Sequence, residues 1–240
     1  MAIQLKISTG ITEDDIMEDH YNHYNFEIIY CNKDLQPNDP NFEEIAGKGS
    51  VGLYLVERAQ KYKEPDVLMQ SFMESNQFQV YKEFFDPNTT NLNEKYENLV
   101  FECQMNSNIL VINKIEVLPE FSCKGIFKRV INLLRHFFYG CYGIEATTAI
   151  PVQLSDTFNY ELEQTPWRQE MQYGKFSQGP KVARKAVKIL MEKSQYCRAG
   201  NTDIYYHIPG NDGIFRDADY CSHNVSAERS KQQRDKPLIK

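Results

Sequence analysis

Residues 109–150 constrain the fold more than any other stretch of the chain. Residues 109–118, ILVINKIEVL, are β-branched and largely apolar, the pattern of a strand covered on both faces. Pro119 stops the run, because proline has no N–H to give to a ladder. A short turn leads into residues 126–139, where Ile126, Val130, Leu133, Leu134, Phe137 and Phe138 recur on one side of a helix. Gly140 and Gly143 close that helix, and residues 144–150 read as the next strand. Strand, turn, helix and strand in that order predict a parallel pair joined by a right-handed crossover.

The flanking sequence fills out an α/β chain. Residues 26–31 read as a strand and residues 16–21 as a short helix before it. Gly47, Gly49 and Gly52 lack the spacing of a phosphate loop and read as a turn ahead of a strand-like run at residues 53–56. Leu68, Phe72, Met73, Val80, Phe84 and Phe85 recur at three and four residues, so 65–85 reads as helical up to the break at 86–90. A helical or mixed stretch reaches residue 99, with a short strand at 100–103. Residues 155–180 read as a long irregular loop. Residues 181–196 then form a helix with Val182, Ala186, Ile189 and Leu190 turned inward, and 202–208 form a last strand. The expectation is one domain over residues 1–215, its core at 109–208, and a polar, disordered tail over 216–240.

Composition narrows the function classes. The chain has a formal net charge of −6 and a pI near 5.5, which disfavours a nucleic-acid binder working by bulk phosphate neutralisation and suits cationic partners such as amines. No run is long and apolar enough for a membrane span or signal peptide, so a cytoplasmic protein is expected. The six cysteines form no CxxC pair, which leaves a zinc site without support. His20 and His23 sit three apart, but with no third ligand nearby they read as surface residues and no metal is expected.

The turn between the strand and the helix carries the chemistry. A strand ending at the start of a helix leaves backbone N–H groups unpaired at the positive end of the helix dipole, a ready site for a pyrophosphate. Gly125 allows close backbone approach, and Lys124, Lys128 and Arg129 add positive charge. Residues 122–127, Ser-Cys-Lys-Gly-Ile-Phe, resemble the Arg/Gln-x-x-Gly-x-Gly/Ala cofactor loop of the GNAT superfamily of N-acetyltransferases. They depart from it at Ser122 and at Phe127. Residues 151–154, Pro-Val-Gln-Leu, are similar to a Pro-x-Gln turn in an uncharacterised branch of that superfamily. The resemblance implies a GNAT-like mixed, splayed central sheet with helices on both faces and acetyl-CoA as cofactor. It implies cofactor contacts at Val117, Leu118, Cys123, Lys124, Gly125, Ile126, Phe127, Lys128 and Arg129.

Acyl transfer to an amine needs a base, and Glu116 at the strand end is the candidate catalytic residue. The tyrosine that often protonates the leaving thiolate in the superfamily aligns with Met191. The implied activity is acetyl-CoA-dependent N-acylation of an amine on a small molecule or protein. An inactive GNAT-fold sensor or interaction module that retains coenzyme A, and toxin-like acetylation of charged tRNA, stay open as alternatives. Gln153 and Trp167 are candidates for acceptor recognition.

The charged, Gln-rich end after Ser226 offers little apolar area to offset the entropy of ordering. Deleting residues 227–240 is therefore expected to move the melting temperature by no more than about two degrees in a thermal melt.

Overall fold

The computed structural model describes residues 2–9, 20–36, 38–86, 89–103, 105–122, 124–149, 166–171 and 180–209, and the account below is confined to these. Seven strands form one mixed sheet in the order β1-β2-β3-β4-β5-β7-β6. They are β1 (Ala2–Thr9), β2 (Tyr21–Cys31), β3 (Glu43–Tyr54), β4 (Ile109–Val117), β5 (Ile144–Thr148), β6 (Cys197–Arg198) and β7 (Ile204–His207). Every pairing is antiparallel except β4 with β5. That parallel pair is joined through α5 (Ile126–Phe137), as the 109–150 pattern requires.

Two apolar clusters cover the two faces of the sheet. On one face lie α1 (Val56–Tyr62), α2 (Pro65–Glu74), α3 (Phe78–Phe84) and α4 (Glu94–Glu102). They meet Tyr54, Ile109, Val111, Ile144, Ala146 and Tyr206. On the other face α5 and α7 (Pro180–Lys193) pack over Phe26, Ile28, Val51, Leu53, Leu110, Ile112 and Tyr205. Tyr205 and Tyr206 are both buried, one in each cluster, so neither lines an open site. A further helix, α6 (Pro166–Glu170), lies in the segment read as an irregular loop.

Several elements differ from the sequence reading. Strand β1 is an addition to the sequence reading, although Ile3, Leu5 and Ile7 alternate with Gln4, Lys6 and Ser8 as in a strand with one covered face. Tyr21 opens a strand instead of closing a helix, and residues 11–19 lie outside the described residues. The glycines at 47, 49 and 52 lie inside β3. At Gly52 a Cβ would stand 2.5 Å from the Tyr21 ring, so the glycine makes room for an aromatic residue on the neighbouring strand. The helical stretch at 65–85 is two helices, parted at Asn76 with φ of 59°. Residues 100–102 continue α4, because Val100 and Tyr96 pack on one helical face and no strand partner lies nearby among the described residues.

On α7 the buried stripe is Ala183 and Met191, with Val187 packed against it, while Val182, Ile189 and Leu190 are exposed. The helix is thus rotated from the predicted face. On α5 Phe137 is exposed, and Ile131 takes the buried place expected of it. No described helix is long and apolar enough to cross a membrane. The tail expected over 216–240 lies outside the described residues.

A buried ion pair ties the second half of the sheet to α5. Glu145 on β5 is fully buried, and its carboxylate accepts Arg135 Nε at 2.7 Å and the Tyr142 hydroxyl at 3.3 Å. The Tyr196 hydroxyl also donates to Glu145 Oε1, and His207 Nδ1 stands 3.7 Å from Oε2. Arg135 reaches on to the Ser194 carbonyl at 3.1 Å. Burial disfavours the Arg135 charge, but Glu145, Tyr196 and Tyr142 together outweigh it and hold the guanidinium above its ordinary value. Burial, and then Glu145, push the Tyr196 phenol well up, so it remains a donor.

Removing one partner leaves the other charge buried. Arg135→Met is expected to cost about 3–5 kcal/mol in a urea titration, and adding Glu145→Gln is expected to recover part of that loss. Additive losses would show that the two groups act independently.

Candidate functional site

Strand β4 carries one residue more than its neighbour. Ser50 pairs with Lys114 and Val51 pairs with Ile112, so Asn113 is the extra residue of a β-bulge. Beyond Ile112 strand β5 also leaves, since the last β4/β5 pair is Ile112 with Thr147. Residues 114–117 therefore pair with β3 alone among the described strands.

The bulge resets which way the backbone and side chains point. Before it Leu110 and Ile112 face the α5 side, and after it Ile115 and Val117 do. Asn113 and Lys114 both line a cleft on the opposite side. The Leu118 N–H donates to the Ala46 carbonyl at 2.9 Å. By the alternation of an antiparallel ladder, the N–H groups of Ile115 and Val117 then point away from β3, toward the side β5 has left. Of the two strand-end positions expected to meet cofactor, Val117 faces this gap and Leu118 is committed to β3.

The start of α5 adjoins the same end of β4. A 3₁₀ turn, Pro119–Phe121, follows Leu118, and the helix opens at Gly125 with φ of 71°. No atom lies within 4 Å of a Cβ placed on Gly125, so only its left-handed torsion selects glycine. Ile126, Phe127 and Lys128 follow as the first helical turn, whose N–H groups have no intrahelical acceptor. Phe127 packs against the core on the α5 side, and Ile126 is buried. Lys124, Lys128 and Arg129 are exposed, with Lys124 Nζ 5.0 Å from the centre of the Phe121 ring. Cys123 and the Pro-x-Gln segment at 151–154 lie outside the described residues.

Glu116 is held more tightly than a freely swinging base. It is 5 % exposed, and Oε2 receives both Lys114 Nζ at 2.8 Å and Trp167 Nε1 at 2.9 Å. Lys48, opposite Glu116 in the ladder, places its ammonium 4.2 Å from the Trp167 ring centre. Trp167 also packs against the core on the α5 side, so it pins α6 to the open end of β4. Met191 is buried in that same core and brings no acidic proton. Tyr196 nearby is committed to Glu145.

The cleft at the bulge was not visible in the sequence reading. It encloses about 540 Å³ and is lined by Tyr21, His23, Ser50, Glu74, Asn113 and Lys114, among others. His23, read as a surface residue, lies in its wall. Asn113 Oδ1 is buried without a hydrogen-bond partner among the described residues. Only a polar pair inside an apolar strand hints at this in sequence, because Ile112-Asn113-Lys114-Ile115 shifts the alternation by one place. The described residues hold no cluster of metal-ligating side chains. Comparison with family models, curated proteins and solved structures returns no match.

Trp167 is the chain's only tryptophan, so its fluorescence reports on this corner alone. Glu116→Ala removes the acceptor of its indole N–H and is expected to shift the emission maximum to the red. An unchanged spectrum would mean that α6 is held by other contacts.

Proposed function

We propose that the chain is a coenzyme-A-dependent N-acyltransferase acting on an amine, with a GNAT-like division of labour across the sheet. The observation that carries this reading is the bulge at Asn113 together with the departure of β5. The two open a gap in the sheet beside the first turn of α5. A gap edged by the outward N–H groups of Ile115 and Val117 suits an amide-bearing pantetheine arm. Free N–H groups at a helix start, with Lys124, Lys128 and Arg129 beside them, suit a pyrophosphate. The thioester would then reach the sheet where the polar cleft lies on the other face. Backbone N–H groups at that point can stabilise the oxyanion of acyl transfer.

On this reading Glu116 acts as a positioning residue. Its carboxylate holds Lys114 and Trp167 at the mouth of the gap. The leaving thiolate takes its proton from the product nitrogen or from water, since Met191 cannot supply one. That same Met191 favours a second reading, a coenzyme-A-binding module without turnover.

Two measurements test the proposal. Saturating acetyl-CoA is expected to raise the melting temperature, because a ligand at a hundred times its Kd adds about 2.7 kcal/mol to the folded state. No shift with millimolar acetyl-CoA or coenzyme A would sink both readings. Gly125→Val strains a left-handed torsion and is expected to weaken binding at least about tenfold in calorimetry. Lys124→Gln or Lys128→Gln is expected to cost less and to flatten the salt dependence, since exposed charges act through screened attraction. Equal losses with the same salt dependence would show that the turn is only structural.

A further inference from the structure

The cleft beside Asn113 holds polar groups that neither the ladder nor the core uses. Lys114 is offset by Glu116 at 2.8 Å, which leaves the exposed Glu74 carboxylate as the uncompensated charge among its lining residues. Glu74 Oε1 accepts Gln70 Nε2 at 2.6 Å, a neutral donor that leaves the negative charge in place. Asn113 Oδ1, buried and without a partner among the described residues, adds an acceptor at the floor. A carboxylate and a lone acceptor together fit a ligand that is cationic and carries N–H donors.

His23 is fixed at both ring nitrogens. Nε2 lies 3.2 Å from Asn25 Oδ1, and Nδ1 lies 2.9 Å from the Tyr21 hydroxyl. With Nε2 donating to the amide oxygen, Nδ1 is the basic nitrogen and accepts the Tyr21 proton. Tyr21 also hydrogen-bonds the fully buried Tyr54, whose hydroxyl in turn pairs with Ser75 at the end of α2. Tyr54 stacks on Phe72 with ring centres 3.7 Å apart, so the chain of hydroxyls is anchored in the core. Gly52, opposite His23 in the ladder, leaves the space that the Tyr21 ring occupies.

We propose that this cleft binds a primary amine and that the Tyr21–His23 pair, not Glu116, takes its proton. The site stands on the cleft alone, and the step that follows rests on the acyl-transfer reading. The ammonium gives a proton to Tyr21 Oη as the Tyr21 proton passes to His23 Nδ1, leaving an imidazolium braced by Asn25. The freed nitrogen lone pair attacks the thioester carbon. The C–N bond forms, the C–S bond breaks, and the thiolate takes the second proton from the product nitrogen. His23 returns its proton to water, so one amide, one thiol and one proton leave.

Saturation-transfer NMR of the full chain without coenzyme tests the site, with ethanolamine as probe and choline, which has no N–H, as control. Ethanolamine is expected to bind at least about tenfold more tightly than choline, because a site built for N–H donors rejects a ligand lacking them. Glu74→Gln and Asn113→Ala are each expected to weaken ethanolamine binding. Equal binding of both probes, or of neither, overturns the site.

Thiol release from acetyl-CoA with ethanolamine tests the relay. His23→Ala and Tyr21→Phe are each expected to lower kcat about a hundredfold with KM for ethanolamine nearly unchanged, and added imidazole is expected to restore His23→Ala. A full rate in either variant, or no turnover in a wild-type chain that binds acetyl-CoA, overturns the relay. Failure to bind acetyl-CoA overturns the acyl-transfer reading instead, and the ethanolamine measurement then decides the site by itself.

Discussion

Between Ile112 and Lys114 strand β4 has one residue more than the strand it pairs with, and most of the local architecture depends on that excess. A regular ladder would carry Ile115 and Val117 to the polar face. The bulge at Asn113 absorbs the phase shift, so the apolar positions on both sides of it stay with the α5 core. It also stacks two polar side chains, Asn113 and Lys114, on one side of the strand. The cleft, the outward N–H groups and the setting of Glu116 all follow from this one insertion.

Past Ile112 strand β5 no longer pairs with β4 and is held by other partners. Glu145 anchors β5 to Arg135 on α5 and to Tyr196, and β7 pairs with β5 over its whole length from Ile144's neighbour to Thr148. A fully buried carboxylate needs every one of these partners, since an uncompensated charge in the core would be costly. The Thr147 hydroxyl donates to the Ile112 carbonyl at 2.9 Å, closing the last point at which β4 and β5 touch. Past that point the two strands have different obligations.

The two faces of the sheet are chemically unlike near the bulge. On the α5 side the helix start offers backbone donors and exposed cationic side chains. On the other side Tyr21, His23, Asn113 and Glu74 offer acceptors and a carboxylate. On the proposed reading, a phosphate-bearing ligand and a cationic one take opposite faces of the sheet, as a two-substrate transfer requires.

The sequence alone determined the unit from β4 through α5 to β5, because each of its steps is local. Apolar β-branched residues, a proline stop, a glycine turn and a 3.6-residue stripe need no distant partner to be read. The basic turn at Lys124–Arg129 was legible for the same reason. Which polar residues meet was settled by long-range packing. Tyr21, His23, Glu74 and Asn113 come from three separate elements, and no periodicity links them. Trp167 binds Glu116 across 51 positions of chain, and the fully buried Glu145 finds Arg135 and Tyr196 only through packing. The face of α7 was misjudged on similar grounds. Its apolar residues circle the helix, and only contact with the sheet selects Ala183 and Met191 over Val182 and Ile189. Local pattern fixes what a segment is, whereas long-range packing fixes what it touches, and function resides in the contacts.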